Sequence, residues 1–359
     1  MWTRSMIISL LVVLSFGCKK AEFYDFNPEE NLVVDTATYL RSANFVSYVG
    51  NQLTVELSMV TFNGLECENS YDNSLFSDSV FTDSLSADDL TYTYTSVFQQ
   101  TALPTPYSSA FLLNTNNRYW YNERDIFYYY RRYLEQIGLL STSQSALAEI
   151  SPQLGDEVQW IQEDGNSSYF NNSRDFSLME FYNRTYVGEG LGNVNFYMNE
   201  EEFLTALSKM INDLANDDNA TGEKSIVIFT HFDLEKNPNE NTDQLKEVIN
   251  EAIAADISLN FLGVSFSEYM YIMATETGGF MCENDNALEF QNGGELPTTP
   301  VQDLAVYTQN LHQIISHDVN EHRATLTITN TGPAFASGQF YGFSFIYGED
   351  VYRFGVEIP

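Results

Sequence analysis

Apolar and polar positions follow two different rhythms along this chain, and the change of rhythm divides it. Leu53, Val55, Leu57 and Met59 alternate with Thr54, Glu56 and Ser58, and Leu90, Tyr92 and Tyr94 alternate with Thr91, Thr93 and Thr95. A two-residue period predicts antiparallel strands with one wet face. Residues 66–89, rich in Ser, Asp and Asn, read as loop. Pro104 and Pro106 then punctuate the chain. Beyond them, residues 108–113, 146–150, 225–230 and 257–264 are short, uninterrupted apolar runs, as strands buried on both faces require, and residues 158–161 can hold one more.

Between these runs the period changes to that of a helix. Ile126, Tyr130, Tyr133 and Ile137 share a face over residues 125–137, and Phe203, Leu207, Met210 and Leu214 share one after a capping Asn199. The aromatic cluster of the first of these helices reads as core and half-buried surface. A third helix starts at Asn241, with Gln244 three residues on and Leu245, Val248, Ile249 and Ala252 as its stripe. A fourth runs from about Ser267 to the Gly278-Gly279 pair, and a fifth covers residues 301–315. Residues 153–198 carry the weakest pattern. After Asp318 alternation returns at Ala324, Leu326 and Ile328, breaks at Gly332 and Pro333, and resumes from Tyr352 to Ile358.

Apolar strands joined through helices make an open, doubly wound, mainly parallel α/β sheet. The two β-rich ends predict an antiparallel β-sandwich made of both, into which the α/β domain is inserted, because chain termini tend to lie close together and loops tolerate insertions. The expected organisation is a signal peptide at 1–18, a tether at 19–31, sandwich strands at 32–105, the α/β domain at 106–317 and the remaining sandwich strands at 318–359. The alternative is two separate β modules, of which the second would be marginal for folding alone.

Composition narrows the partners. The chain has 359 residues, is 43% hydrophobic and 14% aromatic, and carries 16 basic against 50 acidic residues, for a net charge of -34. That charge opposes nucleic acid and anionic head groups. It is spread along the chain, as on a solvated surface. At the start, Arg4, an apolar run from Met6 to Phe16 and Gly17 precede Cys18. The run is too short to span a bilayer. It resembles a bacterial lipoprotein signal of the Bacteroidota kind, which implies export, acylation of Cys18 and anchoring in the outer membrane, on its periplasmic or its surface side. Phe16 stands where a smaller residue is commoner; an ordinary secretory signal or an uncleaved anchor are the alternatives. Cys67 and Cys282 fall in different predicted domains and read as buried free thiols.

The stretches KSIVIFTHFDLEKN, EVINEAIAADISLNFLGVSFS and MATETGGF resemble the second half of a von Willebrand factor type A domain, and SSAFLLNTNNR resembles its first strand and metal loop. The likeness spans about residues 106–317. It implies an adhesive or scaffolding module that binds ligand at the C-terminal ends of its strands, often through a divalent cation. In the family's Asp-x-Ser-x-Ser motif the Asp and both Ser supply hard oxygens to the ion. The corresponding positions here are Asn114, Asn116 and Arg118, and the Asp of the later Thr-Asp-Gly motif falls on His231, or on Asp233 if the loop is shifted. With carboxylates replaced and a permanent guanidinium at the seat, no divalent cation is expected. Asn114, Asn116 and His231 could instead take a softer metal, Arg118 could offer its charge to a ligand carboxylate, or all could hydrogen-bond the loops.

Catalytic motifs are missing: there is no Gly-x-Ser-x-Gly, His-Glu-x-x-His or Cys-x-x-Cys, and the chain reads as a non-enzyme without a cofactor. Gly188, Gly190 and Gly192 read as a flexible loop. His312, His317 and His322, five apart, read as surface residues. Asp35-Thr36-Ala37, Asp78-Ser79-Val80 and Asp83-Ser84-Leu85 resemble O-glycosylation tripeptides of some Bacteroidota. The expected function is protein recognition, by adhesion or by scaffolding of an envelope complex. The alternative is a surface glycan-binding lipoprotein that uses exposed aromatics of the β domain.

Overall fold

The structure, a computed structural model, describes residues 36–63, 66–67, 76–81, 90–100, 105–114, 134, 142–150, 158–186, 200–229, 242–263, 268–279, 281–283, 310–316, 319–347 and 350–359. In chain order the strands are β1 (Thr36–Val49), β2 (Gln52–Asn63), β3 (Glu66–Cys67), β4 (Phe76–Phe81), β5 (Leu90–Gln100), β6 (Tyr107–Asn114), β7 (Gln144–Ile150), β8 (Val158–Ile161), β9 (Glu223–Phe229), β10 (Ile257–Gly263), β11 (Met281–Glu283), β12 (Asn320–Asn330), β13 (Phe340–Tyr347) and β14 (Asp350–Glu357). The helices are α1 (Arg174–Tyr186), α2 (Glu200–Asn216), α3 (Thr242–Ala254) and α4 (Glu268–Glu276), and residues 310–315 are also helical. The fold is mixed α/β, with both parallel and antiparallel sheets.

The first antiparallel sheet has the order β1-β2-β12-β5, with β3 added to β2, and the second has the order β14-β13-β4. Each combines strands from both ends of the chain. Leu53, Val55, Leu57, Ala324, Leu326 and Ile328 of the first meet Phe343, Phe345, Tyr352, Phe354 and Val356 of the second in one core. Phe343 stacks on Phe354 at 5.4 Å and Phe345 on Tyr352 at 5.3 Å, so cross-strand aromatic pairs fill the layer.

Between β5 and β12 in sequence comes the third sheet, ordered β11-β10-β9-β6-β7-β8 and parallel except for β8. On one face Ala110, Leu112, Ile226, Ile228 and Leu259 pack against Phe203, Leu207 and Met210 of α2, Leu245 and Val248 of α3, and Met270 and Ile272 of α4. On the other, Phe111, Leu113 and Val227 pack against Phe181 of α1, Leu134, and Leu311 and Ile314. Burial on both faces explains the unbroken apolar runs. Val60 and Phe62 of β2 join that second cluster, which is why alternation in β2 gives way to continuous burial from Leu57 to Phe62.

Local chemistry fixes the ends. Lys224 donates to the carbonyls of Leu214 and Ala215 at 3.0 and 3.1 Å, meeting the free C-terminal groups of α2. Gly278 takes φ +68° after α4, and the Gly279 N–H closes onto Ala274 O at 2.8 Å; a Cβ on Gly279 would lie 1.8 Å from Leu259 O.

Several expectations change. Residues 66–89 are not all loop, since β3 and β4 lie within them. Strand β1, 14 residues long, escapes a period-two reading because it shifts register between Leu40 and Ser42 and again between Phe45 and Ser47, which breaks the alternation. Helix α1 lies in the weakly patterned stretch. It is announced by Ser173, whose Oγ accepts the Phe176 N–H at 3.3 Å, and among its described side chains it buries Ser177 and Phe181. The predicted helix over 125–137 lies outside the described residues apart from Leu134.

Candidate functional site

In the parallel sheet, β7 and β8 extend from one side of β6, while β9, β10 and β11 extend from the other. The strand order thus reverses between β6 and β9, and open α/β sheets bind ligands beyond the C-terminal ends of the strands at such a point. The strands at that point are buried and paired on both sides. Every residue from Tyr107 to Leu113 is buried, Leu113 lies in register with Phe229, and Asn114 with Ile150.

Asn114 thus ends β6 at the point where the strand order reverses. His231 and Asp233 follow the end of β9 by two and four residues but, like Asn116, Arg118 and Cys18, lie outside the described residues. Asn offers only a neutral oxygen, where a hard cation favours carboxylates. Among the described residues, no group of three or more His, Cys, Asp or Glu is placed to hold a metal ion. Glu149, which the sequence pattern did not single out, is buried beside Leu113, one residue from the end of β7. It sits inside an otherwise apolar run, and that interruption is the only signal it leaves.

A second polar centre lies where α4 meets β14. Burial, and after it the Glu357 carboxylate, push Glu276 up to about 7, against the lowering effect of the Glu357 N–H. Lys246 of α3 pairs with Glu357 and donates to Gly338 O at 3.2 Å. Sequence reasoning missed this centre: a Glu at a helix end is ordinarily wet, and only the packing of β14 over α4 covers it.

Other polar groups are tied into the scaffold. Trp160 stacks on Tyr169 at 4.2 Å and donates to Asp213 at 2.9 Å, joining β8 to α2. Burial raises the Tyr169 hydroxyl well above its usual range, and its hydrogen bond to Asp217 adds to this. Burial pushes Asp217 up, but hydrogen bonds from Asn219 and Tyr169 and the Lys224 charge outweigh it and leave the carboxyl below its usual range.

The histidines correct an expectation. His312 is buried, with Nδ1 2.8 Å from the Tyr107 hydroxyl, and His322 is buried in β12. The five-residue spacing that suggested surface positions assumes a single helix, whereas one lies on a helix and the other on a strand. Cys67 is a half-buried thiol whose Sγ accepts the Asn320 N–H at 3.1 Å; the Cys282 side chain is outside the described set. No described helix is long and apolar enough to cross a membrane.

No protein-family model matches the chain, and no curated protein matches it. Among solved structures it is similar to the pilus adhesin SpaC from Lactobacillus rhamnosus GG in its open conformation, at 8% identity and a TM-score of 0.36, over 89% of this chain and 47% of that one. It is also similar to the human COPII-coat protein Sec24c, at 8% identity and a TM-score of 0.36, over 74% and 46%. The chain spans about half the length of each. A TM-score of 0.36 is too low to carry the fold or the function of either protein across.

Proposed function

We infer that this is a lipid-anchored envelope protein whose α/β layer is a degenerate von Willebrand factor type A domain, set in a β-sandwich and used for protein recognition by adhesion or scaffolding. The single observation that supports the reading most is the strand order. Numbering β6 to β11 from one to six gives 3-2-1-4-5-6, the doubly wound order with its ligand crevice between strands one and four. Asn114 ends the first of these strands, where the type A resemblance would place an Asp.

Recognition at this edge works without a metal. A ligand would meet the loops that follow Asn114 and Phe229, whose residues include Asn116, Arg118 and His231. The net charge of -34 favours a partner with a basic surface. The glycan-binding alternative requires exposed aromatics along one groove; among the described residues the large exposed hydrophobic side chains are Val46, Val49, Met179 and Ile253, none of them aromatic.

Site-specific photo-crosslinking in intact cells tests the reading. A crosslinker at position 116 is expected to trap one discrete protein adduct, and one at Ile253, exposed on α3, to trap none. Equal adducts at both positions would refute recognition at the strand edge. For the anchor, metabolic labelling with a fatty-acid analogue should mark the wild-type protein and leave Cys18→Ala unmarked.

A further inference from the structure

Among the described strands, all but one of those that end a sheet are blunted. Strand β1 shifts register twice and carries Arg41. Strand β4 is six residues long with Asp78 within it, and β14 carries Asp350, Arg353 and Glu357. Strands β8 and β11 have only four and three residues. Short length, bulges and charges are what keep a sheet edge from pairing with another chain.

Strand β5 has none of these. Its sequence, LTYTYTSVFQQ, holds no charged residue, no Pro and no Gly. It pairs with β12 from Asn320↔Gln100 to Asn330↔Leu90 without a register shift. Among the described residues no strand pairs with its other side, and β4 of the facing sheet lies close to it without joining its ladder. An antiparallel strand turns the N–H and C=O groups of alternate residues away from its partner, so β5 offers a regular row of them along that side.

Charge decides what fits there. Two copies of a chain with net charge -34 repel each other, so they approach most easily where charge is least. The strands beside β5 carry Glu321 and Arg323 on β12 and Glu56 on β2, and these are paired. Arg323 lies 3.3 Å from Glu56 and 3.9 Å from Glu321, and Glu321 also meets Arg41. A basic partner therefore finds no attraction at this edge, whereas a second β5 finds no repulsion.

We propose that β5 pairs antiparallel with β5 of a second copy about a twofold axis, joining the two first sheets into one. The interface is isologous, rests on main-chain hydrogen bonds and closes the open edge of each copy. Because β1, at the opposite edge, is blunted, growth stops at two chains and does not run on as a fibre. The pairing is independent of what the β6–β9 strand ends bind.

Sedimentation equilibrium of the purified full chain, from about 1 to about 100 µM, tests it. The expected result is a reversible dimer, strengthened by added salt, which screens the repulsion between copies. Thr93→Lys puts a charge at an exposed position of β5 and should weaken the dimer about tenfold or more, although it lowers the net negative charge. Asn44→Lys makes the same change of charge at an exposed position of β1 and should leave the dimer as it is. Hydrogen exchange gives an answer that needs no variant: protection of Leu90–Gln100 should rise with protein concentration, and that of Thr36–Val49 should not. A monomer at every concentration, or a dimer that the two Lys variants affect equally, would overturn the pairing. A crosslinker at position 93 that traps other proteins in intact cells and no second copy would overturn it too.

Discussion

The core beneath the parallel sheet and the partly exposed seam between α4 and β14 are built from opposite materials. In the core, Leu112, Phe203, Ile226, Leu245 and Leu259 exclude water and carry no charge. At the seam, Glu276 lies near Glu357, Lys246 pairs with Glu357, and the exposed Arg353 lies over the Tyr271 ring. The difference comes from α4. Met270 to Thr275 are buried, and Glu276, which ends the helix, is partly covered where β14 crosses it. Stability in the core is a matter of filled volume, and in the seam it is also a matter of protons.

The largest expected effect lies in the core. Phe261→Ala, which empties a fully buried site on β10, should cost about 3–5 kcal/mol by denaturant unfolding, the same at pH 5.5 as at pH 8.5. A strong pH dependence of that loss would erase the distinction between the two regions. Next comes Glu276→Gln, which should stabilise the protein by about 2–3 kcal/mol above pH 8, once the wild-type group is ionised, and by little in acid. Lys246→Met leaves the Glu357 carboxylate without its cation and should cost about 1 kcal/mol or less by denaturant unfolding. Smallest is Trp160→Phe, which gives up the bond to Asp213 and should cost about 1 kcal/mol or less at every pH.

The same contrast explains what the sequence could reveal. Strands β6, β7, β9 and β10 are buried on both faces, so their apolar runs stand out with no knowledge of neighbours. Alternation likewise marked β2, β5, β12 and β14. Strand β1 hid behind its two register shifts, and β4 behind the Ser and Asp of its own sequence, which look like loop until β13 pairs with them. Asn114 could be placed at the strand edge because the run before it defines where the edge falls. The Glu276 centre could not, because its cover and its neighbour Glu357 come from β14, brought to it by the fold.

Recognition without a cation at the β6–β9 edge is open to one direct test. Mg²⁺, Mn²⁺ and Zn²⁺ are titrated by calorimetry into the body of the protein, residues 33–359. The expected result is no saturable heat for any of the three, since Asn114 stands where a carboxylate would be needed. A saturable Mg²⁺ isotherm that Asn114→Ala abolishes would contradict it and restore a working metal site to the strand edge.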